Sequence, residues 1–338
     1  MPAERLYLID AYSIIFRAFY AIRNLSSSKG EPTNAVYGFV QMLRKLLQDH
    51  QPALVGLAFD VSKKTFRKEL YDDYKANRKP MPEDLRPQIA LIRKVIDAYR
   101  IPILELEGYE ADDVLGTVAR KASEEGYEVV LVSADKDLMQ LVGPRTFLLH
   151  TGREKLYDAA LVEEDFGVPP DKVIDVLALM GDSVDNVPGV KGIGEKGAKS
   201  LVREYGSLDA LLERAGEVSR KAYREGLQEQ REEALLSKRL VTIVTDLPVP
   251  FDPGSLKFEA PDVEALADLY RELEFFSLLM EVQDSGVISA AADVTPAIEA
   301  DSAEDWIAQT AELPGRLHVA AIGEPATGLA VLLGSEVV

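Results

Sequence analysis

The chain has 338 residues, 47% of them hydrophobic and 28% charged, with a formal net charge of −19. That is the profile of a soluble globular protein of two domains, or of one large domain with additions. There is no cysteine, so a disulfide framework and a thiolate zinc site are excluded, and runs such as EVVLVS (128–133) and LAVLL (329–333) are far short of a membrane span.

The N-terminus, MPAERLYLID, has no long apolar stretch of the secretory kind, and the cytoplasm is the expected location. His50, His150 and His318 have no ligand-like spacing, which leaves the chemistry to carboxylates, amines, hydroxyls or metals held by oxygen. The acidic balance speaks at first against nucleic acid. Eight acids and one base, however, lie beyond residue 284, and many of the others cluster as metal ligands do. Bound cations would offset them.

In chain order, Arg5–Ile9 (RLYLI) reads as a buried strand that runs straight into Asp10. Arg17, seven residues on, either faces a scissile phosphate or is an ordinary surface arginine. Residues 36–47 carry apolar side chains at 36, 39, 40, 43, 46 and 47, the spacing of an amphipathic helix. Ala53–Phe59 is a second strand, followed by Asp60. Residues 61–86 hold eight bases, Lys63, Lys64, Arg67, Lys68, Lys75, Arg78, Lys79 and Arg86, with Tyr71 and Tyr74 interleaved. This is either a basic arch steering a single strand or a solvated charged helix. Leu85–Tyr99 has helical period. GYEADDVL opens another helix, with Glu110 and Asp113 on one face and Asp112 beside them; helix-dipole complementation would account for one or two of these acids. Val129–Ser133 is a third strand, and Asp135 and Asp137 follow it in SADKD. Strands alternating with helices imply a parallel α/β sheet, in which sites lie at the carboxyl ends of strands. Asp10, Asp60 and Asp135 would therefore meet along one edge.

From about residue 168 to 280 the pattern is helical. MGDSVDNVP places Asp182 and Asp185 on one turn, as a chelating pair or as a cap. NVPGVKGIGEKGAKS then brings glycines at 189, 192, 194 and 197 among Lys191, Lys196 and Lys199. A glycine-rich turn into a helix start offers backbone N–H groups to a phosphate. Residues 283–305 read as a linker, and Leu317–Ile322 and Leu329–Leu333 as strands of a further domain that the chain's end cuts through. Crowded carboxylates repel one another unless cations compensate. Hard oxygen ligands suit Mg²⁺ or Mn²⁺, and two such ions serve phosphodiester hydrolysis.

At LYLIDAYSIIFRAFYAI, FRKELYDDYKANRKPMPEDLR, EGYEADDVL, SADKDLMQL and GDSVDNVPGVKGIGEKGAKSL the chain resembles the 5′ nuclease domain at the N-terminus of bacterial DNA polymerase I, a member of the flap endonuclease family. The resemblance spans roughly residues 4–284. It implies a PIN-like, resolvase-like parallel sheet flanked by helices, with a helix-hairpin-helix subdomain and a partial α/β segment at the C-terminus. The implied bounds are a catalytic domain at 1–167 with its arch at about 61–86, a helical DNA-binding region at 168–284, a linker at 285–305, and the truncated start of a 3′–5′ exonuclease-like domain at 306–338. LHVAAIGE (317–324) lacks the Asp-x-Glu pair of proofreading domains.

By resemblance, metal ligands fall on Asp10, Asp60, Glu110, Asp112 and Asp113 near one ion, and on Asp135, Asp137, Asp182 and Asp185 near a second. Lys75 and Arg78 form the catalytic basic gateway, with Tyr74 as a stacking surface. Arg17 and Arg67 join the DNA contacts, as do Gly189, Lys191, Gly192, Gly194, Lys196 and Lys199. The implied cofactors are Mg²⁺, replaceable by Mn²⁺, and a K⁺ at the glycine loop. The implied partners are DNA with a 5′ flap or a single-strand/double-strand junction and RNA primers on DNA. A monomer is expected, with no membrane and a polymerase domain in the full-length chain. The competing readings are a non-catalytic DNA-binding module, which the full set of acids opposes, and a PIN-like ribonuclease, which has no need of the glycine loop.

Overall fold

The computed structural model describes residues 4–61, 64–287, 316–322 and 328–334, the last two as backbone strands. Residues 1–283 form one unit and 284–338 a second. The first unit runs β1 (Arg5–Asp10), α1 (Ala11–Ala21), α2 (Asn34–His50), β2 (Leu54–Ala58), α3 (Phe66–Leu70), α4 (Arg86–Ala98), β3 (Ile103–Leu104), α5 (Ala111–Glu124), β4 (Glu128–Ser133), β5 (Thr146–His150) and β6 (Lys155–Tyr157). It continues through α6 (Ala159–Phe166), α7 (Pro170–Met180), α8 (Glu195–Tyr205), α9 (Leu208–Glu213), α10 (Lys221–Glu229), α11 (Arg231–Val241), α12 (Val263–Glu272) and most of α13 (Phe276–Val287), whose last four residues fall in the second unit.

The six strands lie in the order β3-β2-β1-β4-β5-β6, parallel except for β6, which pairs antiparallel with β5. Alternation along β1 sends Leu6 and Leu8 to one apolar layer and Tyr7 and Ile9 to the other. Each such fully buried side chain contributes about 1.5–3 kcal/mol. The layer of Leu6 and Leu8 takes in α5 and the helices α6–α11; the other takes in α1, α2, α4 and α12. After β1 the chain builds outward to β2 and β3, then returns across β1 to add β4. The strand order therefore reverses at β1/β4, the place beyond whose carboxyl ends sheets of this type bind ligands.

Three strands lie outside the sequence reading. β3 has only two residues, β6 only three, and β5 (TFLLH) shows no alternation to read. The helical reading of 168–280 also needs correction. Between α11 and α12 the chain is a non-helical strap, with a turn at residues 253–256, held against the sheet domain. Ile243 N donates to Gln140 Oε1 (2.9 Å) and Val244 N to Asp113 Oδ1 (2.9 Å), and Val55 N donates to Leu256 O (2.8 Å). Among the described residues, no helix is long and apolar enough to cross a membrane. In the second unit β7 (Arg316–Ile322) and β8 (Gly328–Gly334) pair antiparallel. Residues 288–305 of the expected linker, residues 306–315 of the expected further domain and Lys63 of the expected arch lie outside the described residues.

Candidate active site

Asp10 ends β1 and caps α1. Its Oδ1 accepts from Ser13 N (3.1 Å) and its Oδ2 from Ser133 Oγ (2.8 Å). Ser133 is the fully buried last residue of β4, and its Oγ also accepts from Asp135 N (3.1 Å). One hydroxyl thus ties two acids from neighbouring strands. Asp60, two residues past β2, accepts from Ala111 N (2.7 Å), the first amide of α5. Asp135 caps a short 3₁₀ turn at Lys136–Leu141 by accepting from Asp137 N (2.8 Å). The caps read as local chemistry and the acids read as a cluster are the same side chains. A carboxylate at a helix start is already held in place by an amide.

These groups face one another with little counter-charge. Burial pushes the Asp10 carboxyl up to about 6, with Asp135 and Asp60 adding to the effect. Burial and then Asp135 push Asp137 up to about 8. Asp112 is raised well above the ordinary range by burial and by Asp135, Asp10 and Asp60 together, and burial likewise raises Asp60 and Asp135. Asp137 Oδ1 is buried without a hydrogen-bond partner. A cluster of this kind must take up either protons or cations. Its donors are all oxygen, and an orphaned carboxylate oxygen fits a hard divalent ion. Among the described residues no three of these side chains are yet drawn into ion-holding geometry.

The outer acids carry basic partners instead. Lys136 Nζ lies 3.2 Å from Asp182 Oδ2, and Asp182 Oδ1 accepts from Val184 N (2.7 Å). Burial would raise Asp182, but Val184 N and Lys136 outweigh it and hold the carboxyl below the ordinary range. Asp185 pairs with Arg78 at 2.6 Å. Glu110 caps α5 and takes Lys75 Nζ at 2.7 Å; Lys75 and Arg67 overcome the effect of burial and lower its carboxyl.

Four expected site residues are placed differently. Arg67 is buried, 2% exposed, and grips Asp113 with two parallel bonds (2.6 and 2.8 Å) while its Nε donates to Leu240 O (2.7 Å). Asp113 is wholly buried and also accepts from Glu110 N and Val244 N. With every oxygen engaged, Asp113 has none for a metal, and Arg67 has no face for DNA. Tyr74 is buried too, its hydroxyl donating to Glu110 Oε2 (3.2 Å), so it offers no stacking face. Arg17 is not joined to the carboxylates; it donates to Thr151 O in the β5–β6 turn. Among its described residues the basic segment is helical at Phe66–Leu70, winds through turns that rest Lys75 and Arg78 on the acids, and enters α4 at Arg86.

The glycine loop is anchored from behind. Gly181 and Gly189, at φ 66° and 63°, meet so closely that a Cβ on Gly189 would lie 2.5 Å from Gly181 N. Gly189 N donates to the buried Ser237 Oγ (2.9 Å) and Lys191 N to Gln230 Oε1 (2.9 Å). Gly192 and Gly194 have open space at the Cβ position, and Lys191 and Lys196 are exposed. Lys199 is paired with Glu195 and lies over the Phe166 ring. Ser133, Lys136, Ser237 and Asn186 escape sequence reasoning. A polar residue beside an acid carries no mark of the partner it finds across the fold.

Residues 5–167 match the 5′-3′ exonuclease N-terminal resolvase-like domain, and residues 168–264 match the 5′-3′ exonuclease C-terminal SAM fold. A 5′-3′ exonuclease of Aquifex aeolicus is 41% identical over 279 residues, 82% of this chain and 95% of that protein. DNA polymerase I of Rhizobium leguminosarum is 44% identical over 303 residues, 87% of this chain; the chain spans only 30% of that polymerase's length. Among solved structures, the bacteriophage T5 flap endonuclease in a pseudo-enzyme–product complex with DNA and metal ions aligns with TM-score 0.62 at 21% identity, covering 83% of this chain and 100% of that one. At that identity the likeness is one of fold.

Proposed function

The chain belongs to the 5′-3′ exonuclease family, and from that premise we propose that it is a structure-specific 5′ nuclease. In this reading it removes 5′ flaps and RNA primers from DNA by phosphodiester hydrolysis, in the cytoplasm and as a monomer, as the N-terminal part of a DNA polymerase I serving replication and repair. The observation that carries the reading is the set of acids from four separate segments gathered beyond the ends of β1, β2 and β4, with carboxyl groups raised by one another and by burial.

Asp10, Asp60, Glu110 and Asp112 would hold one Mg²⁺, and Asp135, Asp137, Asp182 and Asp185 a second, with Mn²⁺ able to substitute. Asp113 is left out, because Arg67 and two amides occupy it. Bound there, divalent ions supply an activated water and neutralise the leaving oxygen. Ser133 sets Asp10 and Asp135 relative to each other through one hydroxyl. Lys75 and Arg78, paired with Glu110 and Asp185, are the groups that meet the scissile phosphate when those acids turn elsewhere. Gly189–Gly194, with Lys191 and Lys196, grips the duplex backbone without reading bases, and its carbonyls are the seat for a K⁺.

The test uses a 5′-labelled flap duplex with Mg²⁺, repeated in excess EDTA. Junction cleavage that EDTA stops is expected. The double variant Asp135→Asn/Asp137→Asn should bind the flap with unchanged affinity while cleavage falls by at least about 10³-fold; wild-type cleavage by that variant would remove the metal assignment.

A further inference from the structure

Asn186 follows Asp185 directly and stands in the left-handed region at φ 58°. Its side chain leaves the acidic loop and reaches the segment that bears Lys75 and Arg78. Nδ2 donates to Asp73 O (2.8 Å), and Oδ1 accepts from Asn77 Nδ2 (2.8 Å). Between these two bonds lies Lys75, itself left-handed at φ 57°, whose backbone N–H donates to Asp185 O (2.8 Å). Two non-glycine residues thus stand in the left-handed region on opposite sides of one junction, a conformation that asparagine tolerates and lysine disfavours. Such conformations persist where the surrounding bonds hold them.

Apart from that backbone bond, the ties of Lys75 and Arg78 to the acids are ionic: Lys75 to Glu110 at 2.7 Å, Lys75 to Asp185 at 3.9 Å, and Arg78 to Asp185 at 2.6 Å. All three use groups that the proposed reaction claims. When Asp185 and Glu110 turn to cations and Lys75 and Arg78 to a phosphate, those pairs are surrendered. The amide contacts of Asn186 involve no charge and no reacting group, so they survive the exchange.

We infer that Asn186, with Asn77, is a positioning residue: a neutral latch that keeps the Lys75–Arg78 turn over the carboxylates after its ion pairs have been given up. The inference rests on Lys75 and Arg78 being the groups that meet the 5′ strand. It assigns the acidic loop a second task, which is to carry the basic gateway as well as Asp182 and Asp185.

The test compares the full chain with Asn186→Gly, Asn77→Ala and the double variant. Glycine keeps the left-handed backbone and removes both side-chain bonds, whereas Asn77→Ala cuts one of them from the other side and leaves the acidic loop untouched. Amide exchange is followed without Mg²⁺ over residues 71–79 and 181–194, and cleavage of the 5′-flap duplex with Mg²⁺. In Asn186→Gly, exchange over 71–79 should rise about tenfold while 181–194 stays unchanged. Its kcat should fall about tenfold with KM steady. Asn77→Ala should move in the same direction, and the double variant should be no worse than Asn186→Gly. Unchanged exchange at 71–79, loosening of both segments together, a rise in KM alone, or additive losses in the double variant would each overturn the latch. A wild-type chain that cuts no flap would instead overturn the nuclease reading, and the exchange result would still decide the latch.

Discussion

Replacing Arg67 by alanine separates a structural role from a DNA-binding one. The guanidinium makes two bonds to Asp113 (2.6 and 2.8 Å), two to the carbonyls of Leu240 and Thr242 (2.7 and 2.9 Å), and a longer one to Glu110 (3.3 Å). Its removal strands a fully buried Asp113 carboxylate, and breaking a buried pair from one side costs about 3–5 kcal/mol. At about 2–4 °C per kcal/mol, the melting temperature should fall by roughly 6–20 °C. Arg67→Lys keeps the charge but cannot reproduce the fork, so it should recover only part of the loss. The double variant Arg67→Met/Asp113→Leu should melt above either single truncation, because neither charge is left alone. It stays below wild type, since Glu110 N and Val244 N lose their acceptor. Calorimetry at one pH, with affinity for the flap duplex measured in EDTA, decides the matter. Unchanged melting with weakened DNA binding would refute the burial argument and return Arg67 to the DNA-facing set.

Metal-free stability should fall as pH rises. Asp10 and Asp137 titrate in the folded chain at about 6 and about 8, above the unfolded value of about 3.9. The stability they contribute is full below about 4 and is lost as pH climbs through 6 to 8. Added Mg²⁺ should accordingly raise the melting temperature more at about pH 8.5 than at about pH 5; a thermal scan showing equal shifts would contradict this. Lys75→Ala and Arg78→Ala should each lower single-turnover cleavage by about 10²-fold or more while duplex binding in EDTA changes little. Equal losses in binding would move these residues from the chemistry to the general grip. Gly189→Ala forces a Cβ to within 2.5 Å of Gly181 N at φ 63°, and at about 1–3 kcal/mol of strain duplex affinity by anisotropy should drop about tenfold.

The inner acids were legible because each follows a run of strand residues or opens a helix, and a parallel sheet brings such positions to one edge; Asp182 and Asp185 lie instead in the turn after α7. Asp10, Asp60 and Asp135 needed only the alternation of strands and helices to be placed there. Asp113 was misjudged for a physical reason. Sequence shows that it shares a helix face with Glu110, but not that Arg67, 46 residues earlier, closes on it. The same limit hid the burial of Tyr74, which is a basic segment's aromatic in sequence and an inward-facing hydroxyl in the fold. β3 and β6 were too short to carry a period. The strap between α11 and α12 lay inside a span read as helical, although Pro248, Pro250, Pro253 and Pro261 oppose a helix there; its carbonyls take Arg120 and Lys121 from α5.

That strap bears on the timing of synthesis. Thr242 O and Val244 N close the cage around Arg67 and Asp113, and Leu266, Tyr270 and Leu278 complete the layer beneath Tyr7 and Ile9. A nascent chain that has emerged only as far as α11 already carries every acid of the site, yet lacks the residues that lock the start of α5 and seal the sheet. Cleavage competence should therefore arrive only once α12 and α13 have emerged from the ribosome, and not stepwise as each acid appears.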